Sequence, residues 1–282
     1  MYLCPHNSNK RFMMHTQRAF LLVAFLLSAV AVFPAQPPLT LWYEQPATYF
    51  EESLPVGNGR MGALVYGQPV DDALILNDIT LWSGTPVDPN EDAGAHQWIP
   101  LIRQALFAED YARADSLQLH VQGHNSSYYQ PLATLHITDA DGTYSHYRRS
   151  LSLDSALVRV SYQRGDVSYQ REYIASAPDQ LVAIRLTASR PKAIDVQLSF
   201  SSLLQHQVTA AASQLSLTGH AEGSADESTH FCTIATVTHR DGTVAATDTS
   251  LVLNGVSEAT IYVVNETSFN GFDCHPVREG AP

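Results

Sequence analysis

Residues 155–188 read SALVRVSYQRGDVSYQREYIASAPDQLVAIRLTA, and the alternation inside them decides the fold class. Leu157, Val158, Val160 and Tyr162 run into Gly165-Asp166. Val167, Tyr169, Tyr173 and Ile174 return, and Leu181, Val182, Ile184 and Leu186 follow Pro178-Asp179. Apolar residues at a period near two, punctuated by Gly-Asp and Pro-Asp, predict an antiparallel meander with one dry face and one wet face.

The same signal recurs on the C-terminal side, at residues 194–204, 214–218, 231–239, 243–246 and 259–264. Asp141-Gly142 and Asp241-Gly242 read as hairpin turns, because both central positions of such a turn favour residues that tolerate positive φ. Short strands at regular spacing with little helix between them predict a mainly β chain built as one large antiparallel β-sandwich. One stretch departs from the period. Between 93 and 121, Trp98, Ile99, Ile102, Leu106, Tyr111, Ala114, Leu117 and Leu119 suit helical spacing. They predict a short two-helix insertion that breaks near Ala108-Glu109 and ends at Gly123.

Residues 1–35 read differently. Lys10, Arg11 and Arg18 precede an apolar run from Ala19 to Phe33, and Ala29-Val30-Ala31 follows the small-residue pattern of a cleavage site. A basic start, a short apolar core and small residues describe a secretory signal, with a second cut expected after Ala35. The expected domains are therefore 1–35, a secretory signal peptide, and 36–282, a β-sandwich. Cys4 lies too early for a lipid anchor, so the protein is expected to be secreted or periplasmic, with no membrane contact after cleavage. The formal charge of −12 argues against nucleic acid and anionic membrane as partners. Cys232 and Cys274 could pair in an oxidising compartment, although neither belongs to a C-x-x-C.

Several residue sets invite a chemical reading. Gly57, Gly59 and Gly62 spell G-x-G-x-x-G, but the residues after them are Ala63-Leu64-Val65-Tyr66 and then Gly67-Gln68-Pro69. A strand ended by a turn offers no helix N-terminus to a phosphate, so a nucleotide enzyme is not expected. His120 and His124 are four apart, but Gly123 intervenes and no H-E-x-x-H is present, so no metal site and no cofactor are expected. Glu44, Glu51, Glu52, Asp78, Glu172 and Glu266 are candidate carboxylates for glycosidase chemistry, yet nothing in the sequence pairs two of them. Trp42, Tyr43, Trp82, Trp98, Tyr128 and Tyr129 crowd the first half. An exposed ring can stack on a sugar, and Trp82, beside Ser83-Gly84, is the turn-proximal candidate. Asn125-Ser126-Ser127 and Asn265-Glu266-Thr267 match the N-glycosylation pattern.

Several stretches together resemble the N-terminal β-domain of glycoside hydrolase family 95, the α-L-fucosidases. LWYEQPATYFEESLPVGNGRMGALVYG is similar to the family's opening, with its P-x-G-N-G-R-[LM]-G-A. LILNDITLWSGTPVDPN is similar to L-N-E-x-T-L-W-S-G-x-P. IRQALFAEDYARADSL, YYQPLATLHI, YRRSLSLDSALVRVSY and TSFNGFDCHPVREG follow in the family's order, so the likeness runs from about 41 to 280. Asp78 stands where the family has Glu, and Ala133-Thr134 where it has Gly-Asp. The resemblance implies a supersandwich, and it places Asn58, Arg60 and Trp82 beside a turn or cleft as candidate substrate-binding residues. For Arg60, a structural bridge to a carboxylate is the favoured role. The resemblance further implies that the catalytic carboxylates belong to an (α/α)6 barrel beyond Pro282, so none is carried over to this chain. The expected partners are that helical barrel and fucosylated glycans. The alternative expectation is a stand-alone secreted carbohydrate-binding module that works through exposed aromatics such as Trp82.

Overall fold

A computed structural model of the chain describes residues 38–88, 92–123, 127–139 and 142–281. The expected signal segment, Cys4, His124, Asn125, Ser126, Asp141 and Pro282 lie outside the described residues. The chain divides after Pro38, and the strands and helices named below all belong to the compact unit that begins at Leu39.

The strands in chain order are β1 (Thr40–Tyr43), β2 (Leu54–Gly57), β3 (Met61–Val65), β4 (Asp71–Asp78), β5 (Ala133–Asp139) and β6 (Ser145–Ser152). The meander comes next as β7 (Leu157–Arg164), β8 (Val167–Ser176) and β9 (Leu181–Ala188). Then come β10 (Ile194–Ser201), β11 (Gln205–Ala211), β12 (Gln214–His220), β13 (His230–Arg240), β14 (Thr243–Ala246), β15 (Ser250–Val256) and β16 (Glu258–Thr267). Among the described residues they form two antiparallel sheets. One has the order β1-β6-β7-β8-β9-β16-β13-β12-β11, and the other β14-β15-β10-β5-β4-β3-β2. The predicted sandwich is present.

Alternation decides which side chains meet between the sheets. Val158, Val160, Tyr162, Tyr173, Ile184 and Ile261 come from the larger sheet, and Leu74, Leu76, Leu135, Ile137, Leu198 and Leu253 from the smaller. Each is 2% exposed or less, and burying a side chain of this size contributes about 1.5–3 kcal/mol. The opposite face of the larger sheet is wet. There Arg159, Glu172, Arg185, Glu258 and Arg240 form a run of alternating charge across five strands, with contacts of 2.7, 3.9, 2.6 and 3.6 Å.

A buried ion pair helps tie the sheets together. Asp72 on β4 accepts from the amides of Gly67 and Gln68 at 2.7 and 3.0 Å, from the hydroxyl of Tyr173, and from Arg171 Nη1 at 3.3 Å. Arg171 on β8 also donates to the carbonyls of Gln68 and Pro69 at 2.9 and 3.0 Å. Burial pushes the Asp72 carboxyl up against the opposing pull of Arg171, Tyr173 and the two amides. Burial alone would lower Arg171, but Tyr162, Tyr173, Asp72 and Asp139 outweigh it and hold the guanidinium charged.

The insertion lies between β4 and β5 as two helices, α1 (Ile99–Phe107) and α2 (Tyr111–Gln122). Asp110 caps α2 through the amide of Arg113 at 3.1 Å, and the break is made by Glu109 at φ 57°. Ala105 and Ala114 are buried, whereas Phe107 and Leu119 stay 88% and 70% exposed.

The Asp-Gly turns differ from expectation. Asp241 and Gly242 do adopt positive φ, 59° and 66°. However, the strands they join, β13 and β14, belong to different sheets, so this turn is a corner and not a hairpin. A Cβ on Gly242 would meet the carbonyl oxygens of Asn254 and Gly255 at 2.4 Å, so glycine is also required by close approach. The strands flanking Asp141-Gly142, β5 and β6, likewise belong to different sheets. Local φ preference specifies a reversal but says nothing about which partner the next strand takes.

Candidate functional site

The G-x-G-x-x-G stretch is the β2–β3 hairpin, with Gly57 opposite Gly62. Gly59 sits at φ 95°, where any side chain is strained, and a Cβ on Gly62 would fall 2.3 Å from Asn77 Oδ1. The glycines thus serve positive φ at one position and close packing at another. Asn58 closes the turn from within. Its Oδ1 accepts from the amides of Arg60 and Met61 at 3.0 and 2.8 Å, and its Nδ2 donates to the Ser176 carbonyl at 2.9 Å. That last bond crosses from the smaller sheet to the end of β8.

Arg60 crosses in the same direction. Nη1 lies 3.1 Å from Asp78 Oδ2, Nη2 donates to the Asn265 carbonyl at 2.8 Å, and Nε donates to Gln180 Oε1 at 3.0 Å. Glu266 reaches Nη2 at 3.3 Å. Asp78 is fully buried and also accepts from Asn265 Nδ2 at 2.9 Å, Thr80 N at 3.0 Å and Thr80 Oγ1 at 2.6 Å. Each guanidinium nitrogen of Arg60 is thus already engaged within the protein. These contacts bridge the two sheets. The shorter Asp at position 78 has its cation within reach.

Of the six candidate carboxylates, Asp78 and Glu266 are brought onto one guanidinium. Glu172 lies between Arg159 and Arg185, and Glu52 accepts from Thr48 N at 2.8 Å, which holds its carboxyl below the usual range. Asn265 is 1% exposed, with its side chain bonded to Asp78 and to Thr233 Oγ1 at 2.7 Å, so its glycosylation pattern is closed off in the fold. His120 stacks on Trp98 at 3.9 Å. Among the described residues no cluster of three or more His, Cys, Asp or Glu side chains could hold a metal.

Two concavities open near this junction. The first is a slot of about 290 Å³ walled by Trp82, Pro86, Phe269, Phe272, Cys274 and Pro276. The Trp82 ring is fixed by its Nε1, which donates to the Ile79 carbonyl at 2.8 Å, and by an edge contact with Tyr129 at 6.4 Å. Ser83, Thr85, Ser127 and Thr229 also belong to the lining. Gly84, at φ 83°, lets the chain pass Ser127, whose Oγ would lie 2.5 Å from a Cβ there. The second is a trough of about 590 Å³ over Gln205, Gln207, His220, His230, Cys232 and Glu266. Ser268 and Ala281 border the trough while Phe269 and Gly271 border the slot, so the C-terminal segment separates the two. That segment is clamped by Glu227, which meets His275 Nε2 at 3.0 Å and Arg278 Nη2 at 2.7 Å.

Cys232 and Cys274 are both free thiols, so the pairing left open by the sequence does not occur here. One lines the trough and the other the slot. Burial pushes both thiols up, and Asp273 and Glu279 add to the effect at Cys274. Of the three candidate substrate-binding residues, Asn58 and Arg60 sit in the junction and Trp82 borders the slot. Phe269 and Phe272 were missed. They lie in a turn-rich stretch where no periodicity marks an aromatic as buried or exposed.

Residues 41–271 match the family described as glycosyl hydrolase family 65, N-terminal domain. Among curated relatives, "Alpha-L-fucosidase 2" of Arabidopsis thaliana is 33% identical over 173 residues, covering 60% of this chain and 20% of its own. "Probable alpha-fucosidase A" of Aspergillus niger is 31% identical over 211 residues, covering 69% and 25% respectively. The protein of the same description from Aspergillus oryzae is 26% identical over 159 residues, covering 53% and 22%. The matched region thus spans a fifth to a quarter of these relatives' length.

Proposed function

Because the chain belongs to the family of glycosyl hydrolase N-terminal domains that its residues 41–271 match, we propose that it is the non-catalytic N-terminal domain of a secreted family 95 α-L-fucosidase. The observation that carries this reading is the fucosidase description of all three relatives, each aligned over a minor part of its length. In this reading the hydrolytic residues lie in a helical barrel outside these 282 residues, and the substrates are fucosylated glycans.

The carboxylates support the non-catalytic part. Inverting hydrolysis needs an acid and a base about 6.5–9.5 Å apart across an open cleft. Asp72 is sealed under Tyr173 and Arg171, and Asp78 is fully buried and saturated by donors. Glu172 and Glu266 are held by arginines. The apolar side chains that α1 and α2 leave in solvent are the kind of surface a neighbouring domain covers.

The test is to incubate the chain with p-nitrophenyl α-L-fucoside beside the product of the same gene read past codon 282. The chain is expected to release nothing, and the longer product to release fucose with inverted anomeric configuration. Release by the 282-residue chain would sink the non-catalytic reading. An inactive longer product would sink the fucosidase reading. N-terminal sequencing of the exported protein checks secretion, with a start near Gln36 expected. The Trp82 slot favours a second reading, a secreted carbohydrate-binding module, which a stop codon directly after position 282 would support.

A further inference from the structure

We propose that the slot between Trp82, Phe269 and Phe272 is a sugar subsite that takes the methyl-bearing edge of a 6-deoxyhexose, an α-L-fucoside. This inference rests on the fucosidase reading for the identity of the sugar, and on the slot for everything else.

None of the side chains lining the slot carries a formal charge at neutral pH. A neutral ligand suits such a wall, whereas a phosphate or carboxylate would lose its hydration without a cation in return. The volume of about 290 Å³ lies at the small end of ligand sites, so it suits a single ring and not an extended chain. Its lining is mostly aromatic, Pro and Gly, with Ser83, Thr85, Ser127 and Thr229 as the hydroxyl-bearing members. A mostly apolar wall with a few hydroxyl-bearing residues suits a deoxysugar, which joins an apolar methyl-bearing edge to a ring of hydroxyls.

Part of the slot wall is held in place in advance. The Trp82 ring is fixed from two sides, by its bond to the Ile79 carbonyl and by its edge contact with Tyr129. The Glu227 clamp holds the segment after Phe272 against the 222–228 loop. A preformed wall loses little conformational entropy on binding. L-galactose differs from L-fucose by one hydroxyl on C6. Set against Trp82 and Phe272, that hydroxyl would be desolvated without a partner.

The experiment titrates the 15N-labelled chain with methyl α-L-fucoside and, separately, methyl α-L-galactoside, following the three indole N–H signals of Trp42, Trp82 and Trp98. The Trp82 signal is expected to move while the other two stay, and the fucoside to bind roughly tenfold more tightly than the galactoside. Phe272→Ala removes a side chain that is 89% exposed, so the fold is retained, and binding is expected to weaken by about fivefold or more. A Trp82 signal unmoved by the fucoside, equal binding of the two sugars, or an unaffected Phe272→Ala variant would each overturn the subsite. Fucose release by the longer gene product does not depend on these signals. Hydrolysis with a silent slot would therefore defeat this inference alone.

Discussion

Arg60 and Asp78, eighteen residues apart, meet at 3.1 Å with the carboxylate fully buried. The same guanidinium reaches β16 in the opposite sheet through the Asn265 carbonyl and Glu266. A motif that looks like a nucleotide loop is therefore the clasp that closes one end of the sandwich. The two acidic partners of Arg60 should differ greatly in worth. Removing Arg60 strands a buried charge, so Arg60→Ala should cost about 3 kcal/mol or more. Glu266 has an 80% exposed side chain, and Glu266→Ala should cost no more than ~0.5 kcal/mol. Denaturant midpoints of the two variants check this, and equal losses would show that Asp78 is not the partner that matters.

The second buried pair allows a coupling test. Arg171→Met leaves Asp72 without its cation and is expected to destabilise by about 3–5 kcal/mol. Adding Asp72→Asn should restore part of that loss, because the two side chains share one network. A double mutant no more stable than Arg171→Met would mean that the charge on Asp72 is not what Arg171 stabilises.

Gly59 carries the turn reading of the glycine motif. Nothing lies within 4 Å of a Cβ placed there, yet φ is 95°. Gly59→Ala should therefore cost about 1 kcal/mol through backbone strain alone. Millimolar NAD or ATP should leave the thermal midpoint of the parent protein unchanged. A nucleotide-dependent rise would return the motif to phosphate binding.

The C-terminal clamp gives a pH prediction. The His275 bond, followed by Arg278, holds Glu227 below its ordinary value of 4.5, against the opposing effect of burial. A carboxyl lowered in the folded state adds stability above its unfolded value, and that contribution fades as pH falls through the lowered folded value. The amides of Val277 and Arg278, which donate to His275 Nδ1 at 3.2 Å, report on the clamp. At neutral pH their hydrogen exchange should be slower in the parent than in Glu227→Gln. The difference should close as the pH drops below 4.5, with His275, Arg278 and Glu279 as the other charged or titratable groups at hand. A difference that persists in acid would place the protection elsewhere.

The alternation in 155–188 was legible because a sheet with one buried face imposes a period of two on any sequence that forms it. Strands β7, β8 and β9 appear within a few residues of the reading, and the two helices break at Glu109 beside the predicted Ala108-Glu109. β11 and β15 were not foreseen. β11 is an edge strand written mostly in Gln, His, Thr and Ala, and an edge with few buried side chains leaves no apolar period to detect. Trp82 was picked out by its neighbours Ser83-Gly84, but its partners Phe269 and Phe272 stand far along the chain, beyond the last strand.

The sequence by itself determined the period of the strands, the places where the chain must turn and the glycines that those turns require, since these depend on a residue and its near neighbours. The tertiary structure alone decided that Asp241-Gly242 turns a corner between sheets. It also decided that Asp78 and Glu266 share Arg60, that Asn265 is sealed, and that Cys232 and Cys274 stay apart. Each of these depends on which distant strand lies alongside, and that choice belongs to the packing of the two sheets as a whole.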